Sequence, residues 1–165
     1  LKDLNVVFLG NTKVGKTTLI KRMFNGEQVA EYEKTAMVAY YGKVVNDCKL
    51  KLWDSPGTIR NADKSLQDMR IDVAVIMYDV NDSHLFGSVK EQIELVQEYA
   101  ANGKYQVNVL LVANKIGEDS ERDVSKEQGE TLADEMECQY MEISARDEED
   151  VKMVSDAIDH FYIFE

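Results

Sequence analysis

The stretch that decides the fold is Gly10-Asn11-Thr12-Lys13-Val14-Gly15-Lys16-Thr17. It matches the phosphate-loop pattern, in which two glycines separated by four residues are followed by Lys and by Ser or Thr. Because glycine lacks a Cβ, Gly10 and Gly15 let the backbone bend tightly around an anion. The loop N–H groups and the N-terminus of the following helix then face its oxygens. Lys16 is placed to reach the outer phosphates, and the Thr17 hydroxyl is placed to hold Mg²⁺.

The segments on either side give this motif the context that it requires. The apolar run Leu4–Leu9 predicts a buried strand, and Thr17–Asn25 predicts a helix. A chance glycine-rich turn is the alternative interpretation, and it is disfavoured because strand, loop and helix follow one another in the expected order.

Length and composition predict one domain over 1–165, either the whole protein or a piece of a longer chain. The 165 residues are 44% hydrophobic and 30% charged, which is typical of a globular domain with a proper core. The net charge of −12 argues against binding to nucleic acid and against direct contact with anionic lipid. No apolar run approaches the roughly 20 residues of a membrane-spanning helix, and no signal peptide is visible. We therefore expect a cytoplasmic protein that does not itself insert into membranes.

The cysteine and histidine residues give little evidence of a redox, catalytic or metal-binding role. Cys48 and Cys138 lie in predicted strands, and we expect reduced, buried thiols without a redox or metal role. The sequence as given has no cysteine near its end, so it contains no prenylation site. His84 and His160 have no ligand-like neighbours at a useful spacing.

Strands alternate with helices along the remaining chain. Gly26–Ala36 is polar and predicts a loop, and Asn46-Asp47 predicts a tight hairpin between antiparallel strands. Beyond the first strand, the pattern predicts five strands, at Met37–Val45, Cys48–Trp53, Val73–Tyr78, Val107–Ala113 and Gln139–Ile143. Beyond the first helix, it predicts three helices, at Leu85–Ala101, Ser125–Met136 and Asp150–Phe164, and a turn followed by a short helix within Asp54–Asp68. Ser125 and Gln128 predict a capping box at the start of the second of these helices. The predicted fold is an α/β, six-stranded, mainly parallel sheet with one antiparallel edge strand and helices on both faces. Ligands bind such sheets beyond the carboxyl ends of the strands.

Further motifs follow the later strands. Asp54 ends the third strand and can hold Mg²⁺ through water, while Gly57 can offer its N–H to a γ-phosphate. Thr35, in the polar loop, can supply a second hydroxyl to the metal. Asn114-Lys115 and Ser144-Ala145-Arg146 follow the fifth and sixth strands. Alone, each is ordinary turn chemistry, and their order and spacing give them weight.

Taken together, these motifs resemble those of small GTPases of the Ras superfamily, and more narrowly of the Rab family, over essentially the whole chain. The Rab-like segments are Lys49–Asp54, Met77–Asp79, Leu132–Ala133 and Glu142–Arg146. The resemblance implies a GTP/GDP-binding switch that hydrolyses GTP with Mg²⁺, acts in vesicle traffic and is recruited to the cytosolic face of membranes. It also implies that effector, exchange and activating proteins bind the switch loops around Tyr40 and Trp53.

The resemblance also implies roles for individual residues. The residues implied in nucleotide binding are Thr12, Lys13, Val14, Gly15, Lys16, Thr17, Thr18, Asn114, Lys115, Ser144, Ala145 and Arg146. Hydrolysis is implied to depend on Lys16, Thr35, Gly57 and Thr58. Mg²⁺ is implied to bind Thr17 and Thr35 directly and Asp54 through water. Lys13 has two interpretations, since it either adds charge near the phosphates or points to solvent.

The chain departs from the family pattern at positions that contact the guanine base in the family. The family motif Asn-Lys-x-Asp places an aspartate that accepts two hydrogen bonds from guanine, and here that position is Gly117. Glu118 and Asp119 are displaced by one and two positions. Gln28 stands where the family stacks a phenylalanine on the base. These departures put base selection in question.

The chain departs on the hydrolytic side as well. Thr58 occupies the position of the glutamine that orients the attacking water. A side chain at Thr12 crowds the transferred phosphate, and Pro56 stiffens the segment before Gly57. We therefore expect slow hydrolysis.

Two alternatives to a guanine-specific switch stay open. The first is a pseudo-GTPase that binds nucleotide weakly or without turnover and serves as a protein-binding scaffold. The second is an NTPase with relaxed base specificity, which also accepts ATP or another nucleotide.

Overall fold

The computed structural model describes residues 2–11, 13–24, 27–32, 37–55 and 69–163. Its strands are β1 Lys2–Leu9, β2 Glu27–Tyr32, β3 Met37–Val45, β4 Cys48–Asp54, β5 Val73–Asp79, β6 Asn108–Asn114 and β7 Gln139–Ile143. The helices within these residues are α1 Lys16–Met23, α2 Ser83–Phe86, α3 Val89–Asn102, α4 Lys126–Glu135 and α5 Glu148–Ile163, with a 3₁₀ turn at Asp119–Glu121.

The strands form one sheet in the order β2-β3-β4-β1-β5-β6-β7. The pairs β1–β4, β1–β5, β5–β6 and β6–β7 are parallel, whereas β3 is antiparallel to both β2 and β4. The prediction of a mainly parallel sheet with an antiparallel edge is thereby confirmed. The described residues supply seven strands, one more than the number predicted.

The extra strand is β2, which lies within the stretch 26–36 that the sequence pattern predicts to be a loop. It pairs with β3 from Glu27 opposite Tyr41 to Tyr32 opposite Met37. An edge strand has a neighbour on one side only, and its sequence EQVAEY lacks the apolar run that identifies the central strands. Backbone pairing with β3 therefore gives the segment its structure, and this pairing leaves little trace in the sequence.

The β3–β4 hairpin has the geometry that Asn46-Asp47 predicts. Both residues have left-handed φ angles, 49° and 61°. Positive φ at both central positions matches the right-handed twist of the strands that a two-residue turn connects.

Helices cover both faces of the sheet, as predicted. One core combines residues of β5 and β6 with α3 and α4, including Ile76, Ile93 and Leu132. The other combines β1 and β5 with α1 and α5, including Phe8, Leu19 and Ile158. The central strand β5 is buried along nearly its whole length, which explains its continuous apolar sequence.

Three helices differ from their predicted bounds. The single helix predicted at 85–101 is divided at Gly87 and Ser88 into α2 and α3. Helix α2 begins at Ser83, before the predicted start, because the Asp82 side chain caps it by accepting from Leu85 N at 3.1 Å. Helix α5 begins before Asp150, because Asp147 Oδ1 accepts from the N–H groups of Glu149 and Asp150. Helix α1 ends at Met23 rather than at position 25. The capping box that Ser125 and Gln128 predict is present at the start of α4. The short helix predicted within 54–68 falls on residues 56–68, which lie outside the described residues.

The two cysteines are free thiols, and both are partly buried rather than fully buried as predicted. Burial and the nearby Asp134 raise the pKa of the Cys138 thiol to about 11, so it stays protonated at neutral pH. Of the described helices, none has both the length and the hydropathy needed to cross a membrane.

Candidate functional site

The phosphate loop follows β1, and its backbone conformation requires glycine at two positions. Gly10 and Gly15 have φ angles of 148° and 96°. A Cβ on Gly10 would lie 2.5 Å from the Met77 carbonyl oxygen, and one on Gly15 would lie 2.4 Å from the Asn114 amide nitrogen. Both positions therefore exclude a side chain for reasons of backbone angle and of space.

Lys16 is the buried charge of the site, with only 7% of its surface exposed. Its ammonium donates to the carbonyl oxygen of Gly10 and, at 3.4 Å, to that of Asn11. Burial lowers the pKa of Lys16 to about 8, and the nearby Asp54 carboxylate partly opposes this shift. The loop thus wraps around a cation whose desolvation an incoming anion would offset.

Thr17 and Asp54 form the oxygen-rich part of the site. The Thr17 hydroxyl donates to Asp54 Oδ2 at 2.6 Å, so β4 and the start of α1 meet at this point. A hydroxyl and a carboxylate are hard oxygen donors of the kind that Mg²⁺ prefers. Among the described residues, no group of three His, Cys, Asp or Glu side chains is arranged to hold a metal alone. The pair therefore fits Mg²⁺ that takes its remaining ligands from phosphate and water.

Asn114 ties three segments together at the end of β6. Its amide nitrogen donates to the Val14 carbonyl at 2.9 Å, and its amide oxygen accepts from Ala145 N at 3.1 Å. The side chain is 2% exposed. The phosphate loop and the loop after β7 are thereby held at a fixed distance from each other.

A cavity of about 220 Å³ lies between these loops. The described residues that line it are Lys13, Gly15, Thr18, Asn114, Lys115, Ile116, Ser144, Ala145 and Arg146. Three of them carry a positive charge, and none carries a carboxylate. Lys13 lines the cavity and is also exposed, with a left-handed φ of 66°.

Asn81 binds the backbone of the loop that follows Lys115. The Asn81 amide oxygen accepts from Gly117 N at 3.0 Å, and its amide nitrogen donates to the Glu118 carbonyl at 3.0 Å. Glu118 and Asp119 are exposed, and neither lines the cavity. Their side chains do not take the place of the missing aspartate in this arrangement.

The structure brings most of the predicted binding residues to one edge of the sheet. The cavity is lined by Lys13, Gly15 and Thr18 from the phosphate loop and α1, and by Asn114, Lys115 and 144–146 from the loops after β6 and β7. Arg146 also accepts, through its carbonyl, a hydrogen bond of 2.9 Å from Arg22 on α1. The predicted residues Thr12, Thr35, Gly57 and Thr58 lie outside the described residues, as does Pro56.

The two aromatic residues of the predicted effector surface differ in exposure. Trp53 is 6% exposed and donates its indole N–H to Asn5 Oδ1 at 2.9 Å, so it contributes to the core. Tyr40 is partly buried, and its ring meets the edge of Phe24 with centroids 5.3 Å apart.

Three residues at the site make contacts that the sequence pattern does not predict. Asn11 in the loop donates to Ser88 Oγ at 3.2 Å, and Gln92 on α3 donates to the same oxygen at 3.2 Å. A signal is present in the sequence, since Gln92 is a polar residue on the apolar face that Val89, Ile93 and Val96 define.

Comparison with known proteins agrees with the geometry. The sequence pattern of the Ras family matches residues 5–160. The chain is 30% identical to human Ras-related protein Rab-3A over 89% of the chain and 68% of that protein. It is 31% identical to Ras-related protein RIC1 of Oryza sativa subsp. japonica over 89% of the chain and 74% of that protein. It is also 33% identical to human EF-hand calcium-binding domain-containing protein 4B, over 85% of the chain but only 19% of that protein.

Proposed function

The chain belongs to the Ras family, as a Rab-like small GTPase domain, and we propose that it is a molecular switch that binds GTP and GDP with Mg²⁺ and hydrolyses GTP slowly. The observation that carries the proposal is the Lys16 ammonium, which is buried in the phosphate loop at the start of α1 and donates to the Gly10 carbonyl. Such a cradle favours the phosphate groups of a nucleotide over a neutral ligand.

Each part of the site has a role in this proposal. Lys16 stabilises the negative charge of the outer phosphates, and the loop amides fix their position. Thr17 and Thr35 would bind Mg²⁺ directly and Asp54 through water, and the metal would neutralise phosphate charge. Asn114 keeps the phosphate loop and the Ala145 loop in register, so that the nucleotide meets both at once.

Slow turnover is proposed from Thr58 together with Thr12. A threonine hydroxyl is shorter than a glutamine amide and cannot make the same two contacts to water and phosphate. Single-turnover hydrolysis of GTP by the wild type and by Thr58→Gln tests this. We expect Thr58→Gln to raise the rate at least about tenfold. An equal or lower rate in the variant would remove the reason for calling the wild type slow.

A second candidate is an NTPase with relaxed base specificity, and the cavity favours it. Guanine presents N–H donors on its N1 and 2-amino groups, so a site that selects it needs an acceptor there. The described lining offers three cations and no carboxylate. Competition of unlabelled ATP against labelled GDP separates the candidates, since a guanine-specific site resists a large excess of ATP and a relaxed one does not.

A scaffold without turnover is the remaining alternative. It predicts that Lys16→Ala loses nucleotide but keeps its protein partners. A role in vesicle traffic, through effector, exchange and activating proteins at the cytosolic face of membranes, is proposed from the Rab resemblance. It is tested by membrane fractionation of the wild type beside Lys16→Ala. Equal membrane fractions for both would contradict a nucleotide-controlled role.

A further inference from the structure

We propose that Ser88 and Gln92 are positioning residues for the phosphate loop. They hold the side chain of Asn11 and, through it, the segment that orients Lys16. Neither residue lines the nucleotide cavity described above. The inference rests on the proposed function in one respect, since it takes the ligand of the loop to be a nucleotide.

The Ser88 hydroxyl is the centre of this network. It donates to the Leu85 carbonyl at 2.7 Å, and it accepts from Asn11 Nδ2 and from Gln92 Nε2 at 3.2 Å each. A hydroxyl has one hydrogen to donate and two lone pairs that accept. All three are used, so the orientations of both amide groups are fixed by a single atom.

The position of Ser88 makes this use of its hydroxyl informative. Ser88 is the residue directly before α3, where a serine usually caps the helix by accepting from its first N–H groups. Its side chain makes no such capping bond. The hydroxyl is instead directed to the phosphate loop and to Gln92.

Gln92 is buried in a way that stability alone does not explain. It is 3% exposed, and its amide oxygen has no hydrogen-bond partner among the described residues. A buried acceptor without a partner lowers the stability of the fold. Turning the amide over would place its oxygen against Ser88 Oγ, whose only hydrogen already goes to Leu85. The bond from Gln92 Nε2 to Ser88 is the contact that this residue contributes.

The network reaches the reacting groups through Asn11. The backbone carbonyl of Asn11 accepts from the Lys16 ammonium at 3.4 Å, beside the carbonyl of Gly10. Gly10 is in turn packed against the Met77 carbonyl, so the loop has little room to move on that side. If the Asn11 side chain is released, the carbonyl that helps to orient Lys16 is released with it.

The test measures the melting temperature and the affinity for nucleotide, which would fall together if these residues only stabilised the fold. Gln92→Met keeps the volume and removes the unpartnered acceptor. We expect its melting temperature to rise and its affinity for fluorescently labelled GDP to fall about three- to tenfold, as expected for one or two hydrogen bonds. Ser88→Ala is expected to lose affinity by the same factor, whereas Ser88→Thr keeps the hydroxyl and is expected to bind as the wild type does.

Gln97→Met is the matched control, because Gln97 lies on the same helix and donates to the Met136 carbonyl, away from the loop. Its affinity for labelled GDP is expected to stay unchanged. Wild-type affinity in both Gln92→Met and Ser88→Ala would overturn the proposal. So would a loss of affinity in Gln92→Met that is matched by a loss of melting temperature.

Hydrogen exchange of the backbone amides of 13–16, measured without nucleotide, separates this inference from the proposed function. Exchange is expected to be faster in Gln92→Met and Ser88→Ala than in Gln97→Met. If the wild type binds no guanine nucleotide, the proposed function fails, and this measurement still decides the inference. Equal exchange in all the variants would contradict it.

Discussion

Gly15 is one of two described residues in the phosphate loop whose backbone angle and surroundings exclude a side chain. Its φ is 96°, and a Cβ at this position would lie 2.4 Å from the Asn114 amide nitrogen, so both angle and space exclude alanine. We expect Gly15→Ala to lower the free energy of unfolding by about 3 kcal/mol or more and to abolish nucleotide binding. Urea unfolding and a labelled-GDP titration measure the two effects.

Gly87→Ala is the control for that substitution. Gly87 has a φ of −58°, and the nearest atom to its Cβ position is the His84 carbonyl oxygen at 3.7 Å. We expect Gly87→Ala to change the free energy of unfolding by no more than about 0.5 kcal/mol. A comparable loss in both variants would show that the Gly15 effect does not come from its conformation.

The lowered pKa of the buried Lys16 predicts that its contribution to the stability of the nucleotide-free protein depends on pH. Its folded pKa of about 8 lies below its usual value of 10.5, so the unfolded chain binds more protons between these values. The contribution of Lys16 to stability therefore rises with pH across this window. We expect the wild type to gain about 2 kcal/mol relative to Lys16→Met between about pH 7.5 and about pH 9.5, as measured by urea unfolding. If the free energy of unfolding changes with pH equally in the wild type and Lys16→Met, the pKa of Lys16 is not lowered.

Gly117 provides a direct test of base selection. ITP lacks the 2-amino group of GTP, and we expect the wild type to bind the two within about threefold, because the described cavity lining has no carboxylate to accept from that group. Gly117→Asp is expected to raise the preference for GTP at least about tenfold. Gly117→Ala controls for the contact with Asn81 at 3.1 Å. A strong preference for GTP in the wild type would show that another residue selects the base.

The sequence is informative about single residues where the chemistry of the backbone demands them. Gly10, Gly15 and the Asn46-Asp47 turn can be predicted because few residues tolerate positive φ there. The Asn11–Ser88–Gln92 network cannot, since it joins residues 77 positions apart that no local pattern connects. The packing of Asn81 against the Gly117 loop is of the same kind.

At the scale of elements, α4 shows local sequence and structure in agreement. Ser125 accepts from Gln128 N at 3.1 Å, and the Gln128 side chain accepts from Ser125 N at 2.8 Å. We expect Ser125→Ala to lower the free energy of unfolding by about 1 kcal/mol. Ser83→Ala is the control, because Asp82 rather than Ser83 caps α2. If thermal or urea unfolding shows the same loss of stability in Ser125→Ala and Ser83→Ala, the capping box does not contribute to stability.

The differences between predicted and observed elements have a common physical cause. The central strands and the amphipathic helices can be predicted because their burial is reflected in their apolar pattern. Strand β2 depends on pairing with β3, and the early start of α2 depends on the Asp82 cap. Both are decided by partners outside the segment, which periodicity does not detect.

At the scale of the whole molecule, the order of the strands explains why the site forms where it does. Strands β1, β4, β5, β6 and β7 are parallel, so their carboxyl ends share one edge of the sheet. Residues that are far apart in sequence, such as Val14 and Asn114, meet there within hydrogen-bond distance. The convergence of the motifs can be predicted from alternating strands and helices, whereas the cationic cavity between them depends on how the loops pack.

The most direct test of a nucleotide-binding switch is the nucleotide content of protein purified without added nucleotide. The protein is denatured, the released base is identified by chromatography, and its amount is compared with the amount of chain. We expect close to one GDP or GTP per chain for the wild type, and none for Lys16→Ala. A wild-type protein that carries no nucleotide, and takes up none when GTP and Mg²⁺ are supplied, would contradict the proposed switch.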